Sequence, residues 1–372
     1  MKYPSALLGD LLEANPRFEK GDKPSEEELV SFVPMASVSE KIVSITETID
    51  RPYHEVRKGF TPFKTGDVLI AKITPCFENG KMALVENLPR ELGFGSTEFH
   101  VFRPGKRIFP RYLFHLLRSP FVRASGKLKM KGAAGQRRVP VDFFTRLTIP
   151  LPPLAEQKHI AAILDAADEL RAKRREAIAQ LDAFLQSTFI EMFGDPVTNP
   201  MGWEARSLGE IIKVRSGDGL TAKEMAPGGL FPVYGGNGIN GYHDKCMFEE
   251  PKIILGRVGV YCGAIHLTKP KSWVTDNALY VRELLRPLET LYLVEALRAA
   301  NLNQYASQAA QPLISGGRIY PVRIGLPPLD LQHRFATIVE SVEQQKAKMR
   351  AHLAELDTLF ASLQNRAFNG EL

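Results

Sequence analysis

His243 and Cys246, followed by Cys262 and His266, are side chains of the types that zinc accepts. The first half of the chain has no equivalent set, and a fold that manages without zinc there favours reading Cys262 and His266 as ordinary semi-buried residues on one face of a strand. No metal is assigned to them. Other catalytic signatures are missing. Gly80-Lys81, Gly105-Lys106 and Gly126-Lys127 all lack the Ser or Thr that would complete a phosphate-cradling loop, and no HExxH segment occurs. No Asn-Pro-Pro-aromatic or Asp-Pro-Pro-Tyr segment is present to form a flipped-adenine pocket. The Gly-rich run Tyr234–Tyr242 lacks the GxGxxG order of a dinucleotide fingerprint and reads as a loop or tight turn. The chain is therefore expected to be no enzyme and to bind no cofactor of its own.

Binding chemistry is better represented. Lys127, Lys129, Lys131, Arg137 and Arg138 form a cationic stretch around Gly132 and Gly135, read here as a flexible loop that could track a phosphate backbone. In the second half, Tyr234, Asn237, Asn240, Tyr242, Gln308, Gln311 and Arg318 form the matching group. Asn and Gln can pair bidentately with adenine, and Arg with guanine, in the major groove. Lys72 and Arg257 join these DNA-binding candidates because they end two matching apolar runs.

These residues sit in a 372-residue chain that is 44% hydrophobic and 24% charged, the balance of a globular protein of about two domains. Lys and Arg outnumber Asp and Glu by 48 to 42, a net charge of +6 compatible with nucleic acid. Three cysteines argue for a reducing compartment. The N-terminal residues lack the apolar core of a secretion signal, and no apolar run reaches the ~20 residues of a membrane span. A cytoplasmic protein is expected.

The chain is written twice. Residues 149–167 align without a gap on 324–342, an offset of 175, so Leu151-Pro152-Pro153-Leu154 falls on Leu326-Pro327-Pro328-Leu329 and Gln157 on Gln332. Looser matches precede each copy. Leu8-Gly9-Asp10-Leu11 answers Leu208-Gly209-Glu210-Ile211, Leu69–Ile73 answers Ile254–Val258, and Tyr112-Leu113 answers Tyr292-Leu293.

Each prolyl pair suits a helix entry. After the first, apolar residues recur at helical spacing: Ile160, Leu164, Ala167, Ile178, Leu181, Leu185 and Met192, interrupted at Arg174. After the second come Phe335, Val339, Val342, Met349, Leu353, Leu356, Phe360 and Leu363. Gly194 and Gly370 should end the two helices. Each helix must bury its stripe, most simply against the other as an antiparallel coiled coil, with faces left over for other proteins. The partner-facing residues are expected to be Ile160, Leu164, Ile178, Leu181, Leu185, Phe335, Val339, Leu353, Leu356 and Phe360.

Short β-type runs at Val68–Ile70, Phe99–Phe102, Ile253–Leu255 and Ala278–Val281, with helix-like stretches near 110–120 and 289–300, make each globular half a mixed α/β unit with an irregular sheet. The fold class expected is α/β (mixed α+β): two pseudo-symmetric globular domains separated by two long helices. The boundaries expected are 1–150, a central helix at 151–195, 196–325, and a C-terminal helix at 326–372.

The pattern resembles the specificity (S) subunit of type I restriction–modification enzymes. The residues that carry the likeness are LPPLAEQKHIAAILDAADEL at 151–170 and LPPLDLQHRF at 326–335, with Pro200, Gly202-Trp203, Leu208-Gly209-Glu210 and FPVYGGNGINGY at 231–242. The second copy departs from the first at Leu331, which faces Glu156. The resemblance implies that each globular half is a target recognition domain reading one half of a split double-stranded DNA site. It implies that the helices dock two methyltransferase (M) subunits. These would carry S-adenosylmethionine, and restriction (R) subunits would bring ATP and Mg to the full complex. The competing reading is a protein-interaction scaffold with two helical docking arms. If a helix from Leu154 to Met192 rises ~1.5 Å per residue, it spans roughly 58 Å, an upper bound near 17 base pairs between half-site centres that overlapping domains would shorten toward one DNA turn.

Overall fold

The computed structural model describes residues 3–17, 23–40, 44–133, 135–308 and 312–372. The chain separates into two units, Met1–Glu176 with Ala351–Leu372, and Ala177–Arg350. The division falls inside both long helices and not at their first residues, so each unit holds one globular half together with part of each helix.

In the first unit, the strands Leu12–Ala14, Phe99–Pro104, Val68–Ala71 and Met82–Leu84 form an antiparallel sheet in that spatial order. A second sheet runs Ile49–Pro52, Leu29–Val33, Gly93–Gly95, Thr61–Phe63, with a parallel pairing between its two central strands. Ser5–Leu7 pairs with Thr148–Pro150, the strand that leads into the first long helix. The core joins Phe102, Tyr112, Leu113, Phe114 and Phe144 to Ile160, Leu164, Phe360 and Ala367 of the long helices.

The second unit repeats the plan. Ile212–Ser216, Ala278–Leu284, Ile253–Gly256 and Ile265–Leu267 form the corresponding antiparallel sheet, and Glu204–Ser207 pairs with Arg323–Leu326 ahead of the second long helix. The additional sheet here is Gly238–His243, Phe231–Gly235, Trp273–Val274. Phe189, Phe193, Tyr292 and Phe335 stack their rings in the core, with centroids 4.9 to 5.7 Å apart. Edge and offset contacts of this kind add to the burial of the rings themselves.

The expected strands and helices near 110–120 and 289–300 are present, as Pro110–Leu117 followed by Pro120–Lys129, and as Thr290–Ala299. The Gly-rich run differs from a plain loop. Residues 231–235 and 238–243 are two strands of a hairpin, joined through Gly236-Asn237, with Gly238 at φ +92°. The positive φ falls on the residue after the two-residue connection, where the second strand begins, and glycine takes it without strain.

The long helices are Leu154–Phe193 and Leu329–Asn369. They stop at Gly194 (φ +73°) and Gly370 (φ +76°), where glycine takes the left-handed conformation that ends a helix. Within each unit they run antiparallel. In the first, Arg171 meets Asp357 while Ile160 shares a core with Ala367; in the second, Asp182 meets Lys346 while Phe193 packs on Phe335. The stripe does more than join helix to helix. Ile160, Leu164 and Phe360 lie in the first unit's core, and Leu185, Phe335 and Val339 in the second's. Ile178, Leu181, Leu353 and Leu356 are half-buried. No helix among the described residues is long and apolar enough to cross a membrane.

Candidate nucleic-acid interface

The first unit gathers its cations around two carboxylates. Val68–Ala71 delivers Lys72 to the end of the sheet, where its N–H donates to the Glu98 carbonyl and its own carbonyl accepts from Val139 N–H, at 2.8 and 2.9 Å. Arg138 lies alongside, because Lys131 and Arg138 exchange a pair of backbone hydrogen bonds and Arg138 also bridges to Ile73. The Glu98 carboxylate accepts from Arg138 Nε and Nη2 at 2.9 and 2.7 Å. That bidentate pair holds the Glu98 carboxyl below its ordinary pKa. Burial pushes the Lys72 ammonium down, with Glu98 opposing and Arg138 reinforcing. Glu78 receives Lys127 at 3.1 Å and Arg137 at 3.8 Å.

Three of the five cations in the expected stretch are therefore matched by an acidic partner. Lys129 and Lys131 are exposed and make no ion pair among the described residues. The stretch is also less loop-like than expected. Lys127 and Lys129 belong to the helix Pro120–Lys129, which Ser119 caps by accepting from Val122 N–H. Lys131 and Arg138 lie outside that helix and are pinned to each other by the bridge.

His100 underlies this surface. Its side chain is buried, and Nε2 donates to the Val139 carbonyl at 2.9 Å while Nδ1 faces Asn15 Nδ2 at 3.4 Å. Burial holds its pKa below 6.5, outweighing the Val139 hydrogen bond.

The second unit reproduces the backbone frame with different side chains. Arg257 N–H donates to the Asn277 carbonyl, and the Arg257 carbonyl accepts from Ile314 N–H, the pattern Lys72 makes with Glu98 and Val139; Ile314 stands at the repeat offset from Val139. Its guanidinium reaches Ser216 Oγ at 3.1 Å, while its Nε is buried without a partner. Asn237, Asn240 and Tyr242 are exposed on the hairpin, with Asn240 Nδ2 lying over Gly235. Tyr234 stands apart from them. Only 5% of it is exposed, and its hydroxyl accepts from Lys269 N–H at 3.0 Å, so it serves the core and offers no free group at the surface. Gln308 is exposed before the segment that bridges to Val258, and Arg318 is exposed on the short helix Gly316–Ile319. Gln311 lies outside the described residues. Of the four possible zinc ligands, Cys262 follows a short turn and accompanies no strand, while His266 lies in Ile265–Leu267. Among the described residues no three His, Cys, Asp or Glu side chains come together as a metal site.

The groups that fasten each globular half to its helix were not picked out from residue chemistry. Gln157, fully buried, accepts from Phe109 N–H at 2.7 Å and donates to the Pro152 and Arg107 carbonyls at 2.8 and 3.0 Å. Gln332 accepts from Glu289 N–H at 2.9 Å and donates to the Pro327 carbonyl at 2.7 Å. Tyr112 donates to the Pro150 carbonyl and Tyr292 to that of Gly325. Their one signal in the sequence is that each falls on its counterpart in the repeat. Lys213 and Arg215 were also passed over, although their alternation on the strand Ile212–Ser216 leaves both exposed.

The sequence model of the family described as "Type I restriction modification DNA specificity domain" matches residues 7–180 and 200–357, once in each repeat. The specificity subunit of the type I restriction enzyme EcoAI of Escherichia coli is 40% identical over 184 residues, covering 48% of this chain and 30% of that one. The chain thus matches about a third of that relative's length. The EcoKI specificity subunit of Escherichia coli K12 is 26% identical over 332 residues, covering 77% of this chain and 70% of that one. In fold, the chain is similar to the S subunit of a type I restriction–modification system from M. genitalium, with a TM-score of 0.58 at 16% identity over 98% of this chain and 96% of that one. Two copies of one mixed α/β plan, each fastened to a long helix, and a family match that recurs once per copy lead to one assignment: this chain belongs to the type I restriction–modification DNA specificity family.

Proposed function

We propose that this chain is the DNA-recognition subunit of a type I restriction–modification complex and has no catalytic activity of its own. Each globular half reads one half of a split double-stranded DNA site. The long helices dock two methyltransferase subunits, which bring S-adenosylmethionine and methylate adenine, and restriction subunits with ATP and Mg complete the assembly in the cytoplasm. The observation that supports this reading best is the repetition of one frame with different surface side chains. Lys72 and Arg257 have the same backbone partners, yet one sits by Glu98 and Arg138 and the other by Ser216. A scaffold for two identical partners has no need of such divergence, whereas two different half-sites require it.

The test is a genome-wide map of N6-methyladenine in the host with the gene intact and deleted. Loss of one motif, two short half-sites around a fixed gap, is the expected result. An unchanged map in a host that expresses the methyltransferase subunits would overturn the proposal.

A further inference from the structure

In the second unit, the strand Ile253–Gly256 ends in a turn that carries apolar side chains into solvent. Arg257 and Val258 lead into the turn Gly259–Tyr261, where Val260 is 89% exposed and Tyr261 50%. Leu313, 36% exposed, lies beside them, because Val258 and Leu313 form a bridge and Gly259 N–H donates to the Pro312 carbonyl at 3.0 Å. Single exposed apolar residues are ordinary, but three on adjoining backbone make a patch. The backbone holds this patch rigidly. The buried Cys262 thiol donates to the Arg257 carbonyl at 3.2 Å, and Gly263 N–H donates to the Gly256 carbonyl at 2.8 Å, closing the turn on itself. A Cβ at Gly256 would stand 2.0 Å from the Tyr261 carbonyl oxygen, so only glycine lets the turn fold back so closely. On the other side, Leu313 N–H donates to Ser307 Oγ at 2.9 Å. None of these bonds uses the Val260 side chain, and the turn is complete without it.

The first unit builds the same turn and puts charge on it. Thr74 N–H donates to the Arg137 carbonyl at 2.9 Å, as Gly259 N–H does to Pro312, and Ile73 bridges to Arg138 as Val258 does to Leu313. Arg137 and Arg138 therefore stand, at the repeat offset, where the second unit has Pro312 and Leu313. A protein partner common to both units would meet unlike chemistry at these two places. The major-groove edge of DNA can satisfy both. It offers acceptors to arginine, and it carries one apolar group, the 5-methyl of thymine.

From this we infer that Val260 and Leu313 are specificity-determining residues that recognise thymine methyl groups in the half-site read by the second unit. Arg257 flanks them, its guanidinium anchored on Ser216 Oγ at 3.1 Å. The inference rests on the split-site reading proposed above and adds the base chemistry of one half. A rigid turn suits the task, because a methyl contact is short-ranged and is lost when the apolar side chain moves away from it.

The test uses duplexes in which deoxyuridine replaces thymidine, one position at a time, across both half-sites that the methylation map defines. The exchange removes a methyl group and leaves every hydrogen bond of the base pair in place. Assembled with its methyltransferase subunits, the parent should bind about fourfold more weakly at one or more positions of one half-site, the worth of one buried methyl group. Val260→Ala and Leu313→Ala should each weaken binding to the thymidine duplex. In the variant that has lost the residue over a given methyl, the ratio of thymidine to deoxyuridine affinity should fall to about one. Val260→Ala keeps the test clear of folding, since its side chain lies in solvent and the thermal midpoint should not move. Half-sites without a T·A pair, a parent indifferent to every exchange, or ratios that both variants leave unchanged would overturn the inference, while selective binding of the split site would still stand. Binding with no preference for the split site over an unrelated duplex would end the DNA-recognition reading and this inference with it.

Discussion

Gln332 repeats in the second helix the hydrogen bonds that Gln157 makes in the first. Each accepts a backbone N–H from its own globular half, Phe109 or Glu289, and each donates to the carbonyl of the first proline in its Leu-Pro-Pro-Leu run. Proline explains the need. It cannot donate a hydrogen bond, so the chain entering each helix has few backbone groups to hold it in place, and the buried amide supplies the missing partners. Gln157→Leu orphans Phe109 N–H and two carbonyls. The expected loss is about 2–4 kcal/mol, from an unmet penalty of ~1–3 kcal/mol for each buried group with partial relaxation. Gln332→Leu orphans fewer groups and should cost less. Urea unfolding of the two variants checks both values. Equal losses below the error of the fit would mean that water replaces the amide.

Tyr112 and Tyr292 make a second matched pair. Their hydroxyls reach the carbonyls of Pro150 and Gly325, positions one repeat apart, and burial holds both phenols far above their ordinary pKa. Tyr112→Phe and Tyr292→Phe should each cost about 1–2 kcal/mol by leaving a buried carbonyl unpaired. Tyr292 should be the more sensitive, since its bond is the shorter, 2.6 against 3.0 Å. Thermal midpoints that do not move would show that the hydroxyls are incidental to holding the strand before each helix.

Much of this frame was legible in the sequence. Gly194 and Gly370 end the helices where the loss of apolar periodicity placed their ends, the repeat offset assigned Gln157 to Gln332, and the looser match ahead of it assigned Tyr112 to Tyr292 before any contact was known. What it could not show depends on contacts across long stretches of chain. Tyr234 looks like a loop aromatic because its neighbours are glycines, yet a hairpin carries its hydroxyl to Lys269. Lys127 and Lys129 look like loop cations because Gly126 and Gly132 flank them, yet Gly126 packs against Phe77 in a helix that Ser119 caps. The partners of Arg138 and Arg137 are acids at positions 98 and 78, a pairing that no local pattern encodes.

His100 gives the first unit a measurable response to acid. Its folded-state pKa lies below 6.5, chiefly because it is buried, so on acidification the unfolded chain takes up the proton first. The contribution of neutral His100 is therefore complete above about pH 6.5 and is lost as pH falls through the folded-state value. His100→Gln keeps a donor for the Val139 carbonyl and removes the titration. Unfolding free energies taken from pH 7.5 to 5 should fall more steeply for the parent than for the variant. Parallel curves would show that another group governs the acid limb. Protonation leaves the Nε2 donor to the Val139 carbonyl in place and turns Nδ1 into a second donor facing the Asn15 amide nitrogen, so the disturbance falls on Asn15.

Lys129 and Lys131 differ from the cations around them in having no acidic partner among the described residues, so they are the ones free to meet phosphate. Each alanine substitution should lower the slope of log affinity against log salt by about one, with equal effect on all DNA sequences, because a phosphate contact releases a counterion but reads no base. Glu98→Gln should act in the opposite sense. Arg138 is held by that carboxylate through two hydrogen bonds, and neutralising it both frees the guanidinium and removes a negative charge from the surface. Titrations of the assembled methyltransferase on specific and unrelated duplexes, at several salt concentrations, separate these effects. An affinity change at Lys129 or Lys131 confined to one sequence would place the residue on a base edge. No change at any salt concentration would move the DNA-facing surface of this unit elsewhere.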